Sequence, residues 1–249
     1  RGCPAQARGH HRDCHGEVSH CLTLRHEAWL RRHCLDFSLG VKHSLGMKFV
    51  PLPKSFYEPS AKAVAPFVLW LCLIRNTAQG PCAGFIVETE AYLADDPACH
   101  AASGETPRNR AMWGLHGRSY VYFIYGNYYC FNAVCRPAGI PEAVLVRAVE
   151  PLFGEELMRA NRQVNEPHNL TSGPAKLCLA MDIERALDAA TLCDANSPLF
   201  IARNPTVELF RKERGPMVTA PRIGITKAAD WPLRFYLEGS PYVSRRVTS

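Results

Sequence analysis

The stretch Tyr120-Val121-Tyr122-Phe123-Ile124-Tyr125-Gly126-Asn127-Tyr128-Tyr129-Cys130-Phe131-Asn132 sets two aromatic, β-prone runs on either side of a Gly-Asn pair. Such runs suit a pleated surface, and glycine beside asparagine accepts the positive φ of a tight turn, so the segment predicts an antiparallel β-hairpin. Aromatic rings inside a sheet usually form core. The tip is different, because Tyr125 and Tyr128 beside a surface turn expose apolar area. One physical reason for such exposure is a wedge that enters between base pairs.

A second strand signal is Ile86-Val87-Glu88-Thr89-Glu90-Ala91-Tyr92, although strands are depleted in glutamate. With period two, Glu88, Glu90 and Tyr92 share one face, and Val87, Thr89 and Ala91 share the other. The polar face is either the solvated side of an edge strand or functional. Elsewhere, residues 57–66 predict a short helix stopped by Pro66, and the apolar run up to Ile74 is a buried strand or helix. The polar segment 95–110 is a long loop, and residues 143–149 form a strand interrupted by Arg147. Pro151 is expected to open a helix through about Arg162, supported by Glu155 and Arg159 at the i,i+4 spacing. Further strands are predicted at 222–225, 233–237 and 242–244. Strands and helices mix without βαβ alternation. The expected fold is therefore α+β, one domain with a curved, largely antiparallel sheet flanked by helices and a protruding β-hairpin.

Composition separates the first 46 residues from the rest. They hold seven of the ten histidines and four of the eleven cysteines with little apolar periodicity, and read as a disordered tail before a folded domain at 47–249. Cys14, His15, His20 and Cys21 lack the paired spacing of a metal site, so no metal is expected. The chain's formal charge of +6 fits a polyanionic partner. Removing the tail's seven basic and four acidic residues leaves 22 against 19, or +3, so nucleic-acid affinity must come from a local patch. The longest apolar run, residues 66–74, is too short for a membrane helix. The N-terminus carries no continuous apolar segment of the signal type, and the odd cysteine count reads as reduced thiols of an intracellular protein.

Three more positions bear on chemistry. Arg147, inside an apolar strand, needs a partner: a glutamate ion pair and an anionic ligand are both open. His100 is a lone loop histidine with no metal-spaced companion. In Leu170-Thr171-Ser172-Gly173-Pro174-Ala175-Lys176, a hydroxyl residue is the candidate N-cap of a helix whose first-turn Lys176 either faces solvent or assists an anion. P-loop, dinucleotide and nucleophile-elbow motifs are absent.

Together, residues 86–92, 95–101, 106–113, 120–132, 145–151, 170–181 and 234–245 resemble, in order and spacing, the alkyladenine (3-methyladenine) DNA glycosylase family over about residues 47–246. The resemblance implies a monofunctional base-excision-repair enzyme that flips alkylated or deaminated purines out of duplex DNA and hydrolyses the N-glycosidic bond, leaving an abasic site. It implies Glu90 as catalytic base, Tyr92, His100, Tyr122 and Asn132 as the base pocket, and Tyr125 as the intercalating residue. Arg147, Arg108 and Lys176 become nucleotide or DNA contacts. Neither metal nor organic cofactor is implied, and the partner is double-stranded DNA bound by a monomer, in the bacterial nucleoid or the eukaryotic nucleus. The alternative is a non-catalytic binder of distorted DNA. Two positions depart from the family pattern: Asn127 stands where vertebrate relatives carry methionine, and Trp70 stands near the glycine that commonly ends the first helix of bacterial relatives.

Overall fold

The computed structural model describes residues 48–246. The predicted tail and the Cys14, His15, His20, Cys21 group lie outside the described residues. Eight strands, β1 (Cys72–Thr77), β2 (Gly80–Tyr92), β3 (Ser119–Ile124), β4 (Tyr128–Cys135), β5 (Glu142–Phe153), β6 (Leu199–Ala202), β7 (Met217–Ala220) and β8 (Arg234–Leu237), join in one antiparallel sheet. The main path runs β3-β4-β5-β2-β1-β6, and β7 and β8 branch from the second half of β2. Along one side β2 pairs with β5 from Ala83 to Tyr92; along the other it changes partner from β1 to β8. That change of partner lets the sheet curl into a half-barrel.

Three register shifts sit where β2 meets β5, one between Ala83 and Gly84 and two side by side at Glu88. Val87 is skipped between Ile86 and Glu88, and Arg147 is skipped between Val146 and Ala148. A bulge bends its strand and re-aims the side chains around it. Here both glutamates of β2 and the bulged Arg147 come to one side of the sheet.

Among the described residues, four α-helices cover the sheet: α1 (Ala61–Val68), α2 (Glu155–Asn161), α3 (Pro174–Ala180) and α4 (Val207–Arg214). The expected proline stop is overturned, since α1 runs two residues past Pro66. One missing N–H near a helix end is offset by packing, with Val64, Ala65 and Val68 buried. Trp70, just beyond, has φ 65°, the left-handed conformation glycine adopts freely and which costs other residues about 1–2 kcal/mol. The guanidinium of Arg211 stacks 4.8 Å from its ring.

Pro151 does not open a helix. It lies inside β5 opposite Gly84, beside a register shift where a lost donor is tolerated, and α2 begins after Gly154. Gly154 has φ 72°, and a Cβ there would meet Cys82 Cβ at 2.6 Å. Gly154→Ala should therefore lower unfolding free energy by about 2–3 kcal/mol, combining left-handed strain with overpacking. A urea titration checks this, and a loss below about 0.5 kcal/mol, the size of an ordinary surface substitution, would show that the turn rearranges.

Residues 222–225 and 242–244 are irregular rather than strands, while β6 and β7 were not anticipated. The hairpin is formed as predicted, with Ile124 opposite Tyr128, so its loop is the three residues Tyr125, Gly126 and Asn127. Tyr125 (φ 53°) and Gly126 (φ 77°) turn the chain, and Tyr125 is 82% exposed. At α3 the cap is Gly173, not a hydroxyl residue. Thr171 Oγ1 instead donates to Val149 O at 2.5 Å, tying the helix entrance to β5. No helix among the described residues is long and apolar enough to cross a membrane.

Candidate active site

A cleft of about 400 Å³ opens between the inner face of the hairpin, the 95–113 loop, β5 and the entrance of α3. Tyr92, His100, Tyr122, Tyr125, Asn132, Arg147 and Lys176, seven of the nine residues nominated from sequence, line it. The hairpin supplies Tyr120, Tyr122 and Asn132 from one face because Tyr120 is paired with Asn132, and Tyr122 lies two residues on. His100 meets Tyr122 edge-on, with centroids 4.3 Å apart, and its Nδ1 lies 2.9 Å from Tyr120 Oη. Asn132 Nδ2 donates to Tyr120 O at 3.0 Å, which fixes the amide. Arg108 stays outside the lining. Its Nη2 donates to Phe123 O at 3.1 Å, and its guanidinium sits 5.4 Å from the Tyr122 ring centre.

The thiols, phenols and imidazole of the cleft wall are uncharged near neutral pH, and its charge comes from Arg147 and Lys176. Burial pushes the Cys99 thiol up to about 11 and raises Cys130, and burial holds the Tyr92 and Tyr122 phenols above their ordinary range. His100 moves the other way, to about 4, because the packed side of its ring loses water and Arg108 adds positive charge. Lys176, at the rim, is lowered by partial burial and then by Arg162; its ammonium donates to Asn169 Oδ1.

Beneath this wall lies a dry charge network. Glu90 is wholly buried and does not line the cleft; Tyr92 and Arg147 separate it from the open space. Its Oε1 accepts from Ile223 N at 2.8 Å and forms an ion pair with Arg147 Nη1 at 3.1 Å, and its Oε2 accepts from Tyr92 Oη at 3.0 Å. A carboxylate has about four acceptor positions, so one on the Oε2 side stays open. Glu88 is also wholly buried, bound to Arg147, Arg234 and Ser244, which removes the solvated alternative for this face of the strand. For Arg147 the ion pair is present, with both glutamates. Burial alone would lower its pKa, yet the Glu90 and Glu88 charges outweigh that and raise it. Two carboxylates and two guanidiniums thus balance in the interior, as buried charge requires.

Residues 55–241 match the family model of methylpurine-DNA glycosylases. The chain belongs to that family. Over 195 residues it is 48% identical to a candidate 3-methyladenine DNA glycosylase of Methanoculleus marisnigri, covering 78% of this chain and 99% of that one. A counterpart of the same description in Methanocella arvoryzae is 44% identical over 201 residues (79% and 96%), and one in Agrobacterium fabrum 44% over 203 (81% and 97%). As a methylpurine-DNA glycosylase it is an N-glycosyl hydrolase of DNA repair with DNA as substrate, which sets aside the non-catalytic alternative.

Several residues of this glycosylase's site escaped the sequence reading. Arg222, fully buried, donates to Ala91 O at 3.0 Å and to Asp96 Oδ1 at 3.0 Å, pairs also with Asp96 Oδ2, and stacks 4.7 Å from the Tyr92 ring centre. Asp96 Oδ1 in turn accepts from Ala98 N at 2.9 Å, starting the turn that delivers Cys99 and His100 to the cleft. The next residue, Ile223, supplies the N–H on Glu90. The Asp96 turn had a local signal, an aspartate at the head of a polar loop. Arg222 had none, its partner lying 126 residues away.

The lowered His100 pKa makes a measurable expectation. Between pH 6.5 and about 4 the unfolded chain binds the proton and the folded chain does not, so His100 subtracts stability as pH falls through that window and contributes nothing above it. A histidine NMR titration should give a midpoint near 4. A midpoint at 6.5 would mean a solvated ring.

Proposed function

We propose that this glycosylase turns an alkylated or deaminated purine out of duplex DNA into the aromatic cleft and hydrolyses its N-glycosidic bond with water activated by Glu90. The observation that carries the reading is one carboxylate held by Tyr92 Oη, Arg147 and a backbone N–H directly behind that cleft.

In this reading Tyr92, His100 and Tyr122 stack on the extruded base, and rings that remain uncharged at neutral pH favour cationic alkylpurines electrostatically. Asn132, its amide fixed by Tyr120, discriminates at the base edge. Tyr125, exposed on the hairpin loop, fills the space the base leaves, while Arg108 and Lys176 meet phosphates. Unpairing costs a few kcal/mol, and least at a damaged pair, so extrusion itself selects lesions. As the purine departs with the bonding electrons, positive charge gathers on the sugar. Glu90 stabilises that charge and takes a proton from the water whose oxygen bonds to the anomeric carbon. Free base and an intact abasic strand result.

Duplexes carrying a single 3-methyladenine, 7-methylguanine, hypoxanthine or ethenoadenine provide the test. Release of free base should precede any strand cleavage, which should need added alkali. Cleavage without alkali, or equal release from undamaged purines, would overturn the proposal.

A further inference from the structure

Glu88 has no part in the chemistry above, yet it is wholly buried and takes four donors. Its Oε1 accepts from Arg147 Nε at 3.1 Å, Arg234 Nη1 at 2.9 Å and Ser244 Oγ at 3.0 Å; its Oε2 accepts from Ser244 N at 2.7 Å. Arg234 Nη1 also donates to Arg245 O at 2.7 Å, so the same carboxylate anchors the C-terminal segment. Ser244 Oγ accepts from Arg147 Nη2 at 3.3 Å, which closes a ring of Glu88, Ser244 and Arg147.

A guanidinium is a rigid planar fork. Holding Nε with Glu88 and Nη2 with Ser244 fixes its plane, and the remaining nitrogen, Nη1, then lies 3.1 Å from Glu90 Oε1 as an ion pair. A bulged residue lacks the ladder bonds that would otherwise fix its backbone, so Arg147 needs such external support. We propose that Glu88 and Ser244 are positioning residues that aim Arg147 at Glu90, making the segment that carries Ser244 part of the catalytic apparatus. The inference rests on Glu90 being the base. Glu88 acts through orientation: Ser244, which carries no charge, holds the same fork from the other side.

Single-turnover base release from a duplex with one hypoxanthine, and affinity for a duplex with a non-hydrolysable abasic analogue, test this in the full chain. Ser244→Ala should release base about 5–10-fold more slowly and Glu88→Gln about 10–100-fold more slowly, since small misplacement of reacting groups costs up to about 100-fold. Affinity should stay within about twofold, because Glu88 is wholly buried and the Ser244 hydroxyl is taken up by Glu88 and Arg147. In an Arg147→Lys background, which has no fork to aim, Ser244→Ala should add nothing. A purely structural role would lower thermal stability and leave the rate of the folded fraction unchanged. Folded variants with wild-type rates, or effects that multiply fully with Arg147→Lys, would overturn the proposal. Should Glu88→Gln fail to fold, Ser244→Ala and its cycle decide. Glu90→Gln belongs in the same series. If it still releases base, the assignment of Glu90 falls; if it is inactive while Ser244→Ala is normal, only the positioning role falls.

Discussion

Glu90→Gln is expected to slow single-turnover base release by about two to four powers of ten, the range for loss of a general base. That corresponds to about 3–5 kcal/mol of transition-state stabilisation. The substitution suits the question because it changes charge with little change of shape. A glutamine carbonyl can accept from Ile223 N as Oε1 does now and remain beside Arg147 Nη1, and its NH2 can donate to Tyr92 Oη. Arg147 keeps its second carboxylate, Glu88, which then serves both Arg147 and Arg234, so the variant is expected to fold with reduced stability. Affinity for damaged duplex should therefore persist while chemistry is lost. Rates within tenfold of wild type would remove Glu90 from the proposed role and move attention to water held elsewhere along the cleft.

The largest stability effect is expected at Asp96. Neither partner of the Asp96 to Arg222 pair has any side-chain exposure, and removing one charge from a dry pair leaves the other without compensation. Asp96→Asn should cost about 3–5 kcal/mol of unfolding free energy. Asparagine keeps an oxygen for Ala98 N, so the loop turn survives and the loss reports mainly on charge. Neutralising both partners, with Asp96→Asn and Arg222→Met together, should recover much of the loss, because the penalty lies in the unpaired ion. Chemical denaturation of the three variants checks the pattern. A loss below about 1 kcal/mol for the single substitution, the value of an exposed pair, would mean that water reaches the site.

Part of this molecule was legible residue by residue. The hairpin follows from alternation and the positive-φ tolerance of its turn, both properties of neighbours in sequence. Pro66 and Pro151 show the limit of the same logic: each was given its usual local meaning, and each was overruled, by helix packing in one case and a register irregularity in the other. Residues 222–225 read as a strand by composition, yet their use is to hand a guanidinium to Asp96 and an N–H to Glu90.

The sequence by itself determined the α+β class, the hairpin with its aromatic inner face, and, through ordered motifs, the set of residues around the cleft. Only the tertiary structure decided what the two glutamates of β2 do. Their strand spacing put them on one face, and nothing local could say whether that face was wet. It is dry because the bulge at Arg147 brings one guanidinium between both carboxylates, and because Arg234 and Ser244 come from nearly a hundred or more residues away to satisfy the rest. Burial of charge is a property of the whole neighbourhood, and most of that neighbourhood is distant in sequence.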